Sequence, residues 1–400
     1  MTFEEIKALD HARIMNTYGR SDLCAVKGNG SRCTDINGKE YIDFTTGIGV
    51  NALGFCDPDW VKAVCDQAAT LQHISNLYYT MPDVQLADTL CSRTGYAKVF
   101  FGNSGAEANE GAIKVARKYS FDKYGSGRDK IVTLVNSFHG RTVTTLAATG
   151  QDVFHNFFFP FTEGFLYAEA NSLEALEKAC DDTVCAVMVE FVQGEGGVVP
   201  LNKEYVQAVA KFCAEHDLLL IADEVQTGIG RTGTLLASEQ FGVHPDITTL
   251  AKGLGGGLPI GAVMVNEKLE SVMGASSHGS TFGGNPVVCA GANVVVDRLD
   301  QSFLAQVSER AVQLRAGLAT LPHVKNISGI GLMVGIEFFD VQAADVLAAC
   351  REKGLLVLTA KTRLRLLPPL TVSEHEVDMA LEVLAEVLGA MEPTAPKEQA

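Results

Sequence analysis

Short apolar runs alternate with amphipathic stretches through the middle of the chain. The runs at 98–102, 130–135, 185–192, 218–223 and 259–265 are built mainly from Val, Ile, Leu, Ala and Phe, and each carries at most one charge. That pattern predicts strands buried on both faces. Between them, 106–119, 172–179 and 203–214 show helical spacing. Continuous apolar strands separated by helices predict an α/β fold, a mostly parallel sheet covered by helices on both faces. In such sheets ligands collect at the carboxyl ends of the strands.

After about residue 290 the texture changes. A long helical pattern runs from 292 to about 321, a β-type pattern covers 324–339, and a helix near 341–353 is followed by short strands and a last helix at about 373–391. A smaller α+β domain is expected there. Near the other end, 26–43 carries turn signals at Gly28-Asn-Gly30 and Asn37-Gly38, which predict a short β-meander. The expected division is an N-terminal segment 1–55 packing with the small domain, a large domain 56–290, and a C-terminal small domain 291–400. The small domain is thus built from both chain ends. The polar tail 392–400, with two prolines, is expected to be unstructured.

Composition changes this picture in three ways. The 48 acidic residues against 32 basic ones give a net charge of −16 over 400 residues. That argues against nucleic acid and against an anionic membrane surface, both of which need clustered Lys and Arg. Ten cysteines are scattered with no C-x-x-C pair and no neighbouring His pair, so no metal site is expected. They read as small buried hydrophobes in a reducing compartment. The first 16 residues are charged and lack an apolar core, and the longest aliphatic run, at 218–222, is far too short to span a bilayer. A cytoplasmic protein is expected.

Five segments carry candidate chemistry. Gly102-Asn-Ser-Gly-Ala-Glu-Ala-Asn-Glu110 follows a strand and opens a helix. Ser104 can present a hydroxyl and amides to an anion at the helix terminus, or serve as a plain N-cap with Glu107 in a capping box. Asn136-Ser-Phe-His-Gly-Arg-Thr142 offers an aromatic face and a carboxylate fork, or a solvated arginine beside a core Phe. In Ile221-Ala-Asp-Glu-Val-Gln-Thr-Gly228 an acid ends an apolar strand. Desolvated there, it needs a cationic partner or strong donor, unless it caps the next element. Leu250-Ala-Lys-Gly-Leu-Gly-Gly-Gly257 places a lysine before a glycine-rich loop. A desolvated lysine becomes an amine nucleophile, and a solvated one does nothing. The segment is no P-loop, because its Lys precedes the glycines. His278-Gly-Ser-Thr-Phe-Gly-Gly-Asn-Pro286 adds hydroxyls on what could equally be a surface loop.

Singly these are weak; their order and spacing together are specific. Ser104-Gly-Ala-Glu-Ala-Asn-Glu110, Phe138-His-Gly-Arg-Thr142, Asp223-Glu-Val-Gln-Thr-Gly228, Ala251-Lys-Gly253 and Gly279-Ser-Thr-Phe-Gly-Gly-Asn-Pro286 resemble the class III aminotransferases, pyridoxal-phosphate enzymes of fold type I. Asn16-Thr-Tyr-Gly-Arg20, Ser75-Asn-Leu-Tyr-Tyr-Thr80 and Gln193-Gly-Glu-Gly-Gly197 narrow the resemblance toward the acetylornithine branch of that family.

The resemblance implies pyridoxal 5'-phosphate as cofactor, bound in the large domain, with Lys252 and Asp223 as the catalytic residues. Lys252 would carry the cofactor and shuttle the substrate proton, while Asp223 would keep the pyridine nitrogen protonated. Phe138 and Val225 would pack on the two ring faces, and Gln226 would bond the phenolic oxygen. Ser104, with the amides of Gly105 and Ala106, would hold the phosphate. Ser280 and Thr281 would reach the phosphate of a neighbouring subunit, which implies a homodimer with composite sites. For substrates, Arg141 would fork onto the α-carboxylate, Glu195 would pair with Arg365 of Arg365-Leu-Leu-Pro-Pro-Leu370, and Tyr18 would touch the substrate.

The implied reaction moves the terminal amine of N-acetylornithine, or a similar ω-amino acid, to 2-oxoglutarate in arginine biosynthesis. Ornithine, succinylornithine, 4-aminobutyrate and lysine-type donors are the alternatives, as is a glutamate-1-semialdehyde aminomutase; a non-catalytic cofactor-binding protein is the remote one. Glu190-Phe-Val192, Phe55-Cys-Asp-Pro58 and Asp22 depart from the family's usual Glu-Pro-Ile, His-Cys-His-Pro and proline. The negative net charge adds a constraint. Every implied ligand carries an anionic group, so a few local cations must invert the sign of the field where that group binds.

Overall fold

The computed structural model describes residues 1–393; the tail expected to be unstructured lies, from 394 onward, outside the described residues. A seven-stranded sheet occupies the centre. Its order is Lys98–Gly102, Gly261–Val265, Ile247–Leu250, Leu219–Asp223, Val184–Val189, Lys130–Leu134, Phe165–Ala168. The last five run parallel, and only Gly261–Val265 is antiparallel to its neighbours.

Alternate strand residues feed two separate cores. Ile131, Met188 and Ile221 pack against Ala112 and Ala116 of the helix Gly105–Tyr124. Val132, Val187 and Leu220 pack against Leu176, Val206 and Val209 from the helices Leu173–Ala179 and Lys203–Glu215 on the opposite face. The mostly parallel, doubly covered sheet is therefore as expected, and the near-continuous apolar runs follow from burial on both sides.

Two strands escaped the pattern. Phe165–Ala168 is only four residues long. Ile247–Leu250 carries Thr248 and Thr249 at its centre, both fully buried. Thr249 Oγ1 donates to Asn109 Oδ1 at 2.7 Å, and Thr248 Oγ1 lies 2.6 Å from the Tyr96 hydroxyl, so the polar atoms are satisfied inside the core.

The long helix expected at 292–321 is two helices, Pro286–Arg298 and Gln301–Leu318. Asp300 separates them, and its carboxylate caps the second by accepting from Phe303 N at 2.8 Å. Continuous apolar periodicity hid that cap. The helices Phe3–Arg13, Pro58–Thr70 and Met81–Thr94 were also unforeseen, although Thr2 with Glu5 and Asp57 before Pro58 are N-terminal signatures.

Three strands between Ala25 and Asp43 form an antiparallel meander, and Leu355–Leu356 joins it in parallel beside Glu40–Asp43. The strands Val324–Ile330, Met333–Phe338, Arg363–Leu366 and Leu358–Ala360 form a second antiparallel sheet. A single apolar cluster runs from Ile42 and Phe44 through Leu250 and Leu254 to Leu364 and Val377, fixing both small sheets against the edge of the large one. No helix among the described residues is long and apolar enough to cross a membrane.

Candidate active site

A cavity of about 610 Å³ opens at the carboxyl ends of the central strands. Leu219–Asp223 delivers Asp223 to its floor, where the residue is only 4% exposed. Such a carboxylate needs donors. Its Oδ2 accepts from Asn109 Nδ2 at 2.8 Å, and its Oδ1 accepts from Val225 N at 3.0 Å. His139 Nδ1 lies 2.8 Å from the same Oδ2 and must carry a proton to face it. No lysine or arginine pairs with Asp223 among the described residues, so the carboxylate can still meet a cationic donor from the cavity.

Lys252 follows Ile247–Leu250 with its backbone in the left-handed region, at φ +44°. It lines the same cavity, and among the described residues its side chain makes no hydrogen bond or ion pair. Burial lowers its ammonium pKa below the usual 10.5; Glu195 and Asp223 oppose the shift, while Arg365 adds to it. More of the neutral amine is therefore present at pH 8 than for a surface lysine. In the apoprotein, reductive methylation of Lys252 followed by mass spectrometry should rise with a midpoint below pH 10.5. A midpoint at or above that value would contradict the desolvated site.

The 20-residue helix Gly105–Tyr124 begins at the cavity wall. Ser104 is its N-cap, with Oγ accepting from Glu107 N at 3.2 Å. The first intrahelical bond is Ala108 N to Ser104 O, so the amides of Gly105 and Ala106 precede the ladder and are free for an anion at the positive end of the helix dipole. A Cβ at Gly105 would stand 2.7 Å from Val225 Cγ1, so the wall is too tight there for any other residue. Ser104, Gly105, Ala106, Phe138, Arg141, Asp223, Val225, Gln226, Lys252 and Tyr18 all line this one cavity.

Arg365 and Glu195 flank it behind Gln226. Arg365, 2% exposed, donates through Nη1 to Glu195 Oε1 at 2.6 Å and more distantly to Gly194 O and Gln226 Oε1, both at 3.4 Å. Its Nε is buried without a partner. Burial alone would raise the Glu195 pKa, but Arg365 and Lys252 hold it below the ordinary carboxylate range. Arg141 is exposed at the mouth.

Ser280 and Thr281 do not line the cavity of their own chain. Ser280 Oγ accepts from Asn103 Nδ2 at 3.0 Å and from Gly283 N at 2.9 Å, while Thr281 is exposed.

Three residues of the site were not singled out from sequence. Asn109 and His139, the props of Asp223, lay inside quoted motifs. Glu190 is buried and accepts from Phe138 N at 2.8 Å and Gly194 N at 3.2 Å, tying the Phe138 loop to the Glu195 loop. Burial pushes its pKa up to about 7, with Asp223 adding and His139 opposing. An acid inside an apolar run was the signal that had marked Asp223, and it applied equally to Glu190. No cluster able to hold a metal ion occurs among the described residues.

A buried carboxylate, a depressed lysine, an aromatic wall and open amides at a helix terminus fit a phosphorylated pyridine aldehyde, with the lysine free to bond its carbonyl. The family model "Aminotransferase class-III" matches residues 14–388. The chain belongs to the class-III aminotransferases. These enzymes depend on pyridoxal phosphate, and the mostly parallel, doubly covered sheet is their fold type I architecture. The acetylornithine aminotransferase of Haemophilus ducreyi is 54% identical over 98% of this aminotransferase and 100% of its own length. Among solved structures, the ornithine aminotransferase of Toxoplasma gondii ME49 superposes with TM-score 0.93 at 34% identity, covering 98% of this chain and 96% of that one. The N-acetylornithine aminotransferase of Stenotrophomonas maltophilia K279a does so with TM-score 0.83 at 36% identity, covering 96% and 98%.

Proposed function

We propose that this aminotransferase moves the terminal amine of N-acetylornithine, or a similar ω-amino acid, to 2-oxoglutarate in arginine biosynthesis, yielding the semialdehyde and glutamate in the cytoplasm. The observation that carries this reading is a contrast between two guanidiniums: Arg141 stands open at the mouth, while Arg365 is masked by Glu195.

When bound, pyridoxal phosphate supplies an electron sink for the pair left as the amine-bearing carbon loses its proton. Lys252 Nζ, its proton affinity lowered by burial, would accept that proton and give it back. Asp223, fixed by Asn109, His139 and the Val225 amide, would hold the proton on the ring nitrogen. Phe138 and Val225 would clamp the ring, and Gln226 would take the phenolic oxygen. Ser104 and the amides of Gly105 and Ala106 would hold the phosphate.

The donor reacts at an end without a carboxylate, so Arg365 stays on Glu195 and the remote α-carboxylate meets Arg141, with Tyr18 against the chain between. 2-Oxoglutarate brings a carboxylate beside its carbonyl, and Glu195 then yields Arg365 to it. One site thus serves two half-reactions in alternation.

A second copy completes the site. Tyr79 is 99% and Leu77 86% exposed, and Tyr78, Met81 and Phe282 extend this apolar surface next to Ser280 and Thr281. In a homodimer the patch is covered and the two hydroxyls reach the partner's phosphate.

Glu195→Gln tests the masking directly. Without the carboxylate Arg365 is uncovered for both substrates. We expect kcat/KM for N-acetylornithine to fall about tenfold or more, the equivalent of a lost charged hydrogen bond, and that for 2-oxoglutarate to change far less. Equal losses for both substrates would contradict the reading.

A further inference from the structure

Arg141 lacks polar anchors at the mouth of the cavity. Among the described residues its side chain makes no hydrogen bond and no ion pair, and it is exposed. An arginine in that condition would sample many rotamers, and a carboxylate binding it would have to freeze them. Two aromatic rings hold it instead. The guanidinium carbon lies 4.1 Å from the centre of the Phe154 ring and 5.5 Å from that of Phe138. The rings themselves meet edge-on, 5.9 Å apart at 70°. A guanidinium resting on an aromatic face leaves its N–H groups free for the fork that a carboxylate needs.

Phe154 does not line the cavity; it ends the short turn Asp152–Phe154 behind Arg141. That turn is pegged to the loop that carries Phe138. Phe154 N donates to Gln151 O at 3.0 Å, and Gln151 Nε2 donates to Ser137 O at 3.0 Å. Gly150 N donates to Ser137 Oγ at 3.1 Å, and Asn136 N donates to Gly150 O at 2.7 Å. Phe154 and Phe138 are thereby held as one unit, and the arginine between them inherits their rigidity.

We propose that Phe154 is a positioning residue for substrate recognition: its ring pre-sets the Arg141 fork, so affinity for the α-carboxylate end of the amino donor depends on an aromatic side chain at 154. The proposal rests on Arg141 being the α-carboxylate site.

The test is calorimetric titration of the holoenzyme with N-acetylnorvaline, which keeps the acylated α-amino acid and lacks the terminal amine. Phe154→Leu should weaken binding about fivefold, and Phe154→Tyr, which keeps the aromatic face, should stay within about twofold of the parent. In an Arg141→Ala background the same Phe154→Leu change should have no further effect, because the ring acts only through that arginine. An unchanged affinity in Phe154→Leu, with Arg141→Ala clearly weakened, would overturn the proposal and leave the role of Arg141 standing. So would an equal loss from Phe154→Leu in both backgrounds. If Arg141→Ala alone leaves binding unchanged, the reading of Arg141 fails and the proposal falls with it.

Discussion

Holoenzyme carrying Lys252→Ala will turn over N-acetylornithine and 2-oxoglutarate at about one ten-thousandth of the parent rate or less, with its melting temperature nearly unchanged. The size follows from losing the positioned acid–base group, worth up to about 10⁴-fold by itself. The unchanged stability follows from the structure. The Lys252 side chain makes no hydrogen bond or ion pair among the described residues, and burial of its ammonium is unfavourable, so little native-state energy is removed. Steady-state kinetics and calorimetry on the same preparation check both parts. A small added primary amine should restore part of the activity, since it can carry the missing proton. Repeated turnover by Lys252→Ala with no added amine would show that another group performs the transfer.

Asp223→Asn should lower kcat about 10²- to 10⁴-fold while moving KM much less. Removing one member of a buried charge pair typically costs about 3–5 kcal/mol, and here that cost falls on the developing ring charge. An asparagine has nearly the same shape, so the cavity is preserved. Its amide must nevertheless present N–H either to the Val225 amide, 3.0 Å from the present Oδ1, or to the two donors on Oδ2. A kcat within about threefold of the parent would remove Asp223 from the mechanism, because an interaction made chiefly in the transition state must show in kcat.

The parts legible in the sequence were those fixed by one-dimensional periodicity. Strands buried on both faces must be apolar throughout, so Leu219–Asp223 and Val184–Val189 announced themselves, and the parallel sheet followed from the helices between them. Ile247–Leu250 did not, because its central threonines find partners in Asn109 and Tyr96, residues more than a hundred positions away. The break at Asp300 was lost for a related reason: apolar spacing continues on both sides of the cap.

In the site, most of the residues carried by motifs converge on one cavity, Ser280 and Thr281 excepted, but what holds them was mostly invisible. The buried props Asn109 and His139 matter only because the Gly105–Tyr124 helix and the Phe138 loop fold over the same strand end. The Arg141–Phe154 stack likewise depends on a turn pinned by Gln151 rather than on any spacing in the chain. Net charge is the clearest case. A total of −16 said only that anions are not recruited by the surface. The structure gathers a helix terminus, Lys252, Arg141 and a masked Arg365 within reach of one cavity, and sets Glu195 where it can cancel one of those charges.

The most direct test of the whole account is an amine-donor panel followed by the visible absorption of the holoenzyme under single-turnover conditions. N-acetylornithine should bleach the yellow band of the lysine-bound cofactor faster than ornithine, succinylornithine or 4-aminobutyrate, and 2-oxoglutarate should then restore it with release of glutamate. A band that no ω-amino donor bleaches, or one that bleaches and is not restored by 2-oxoglutarate, would contradict it.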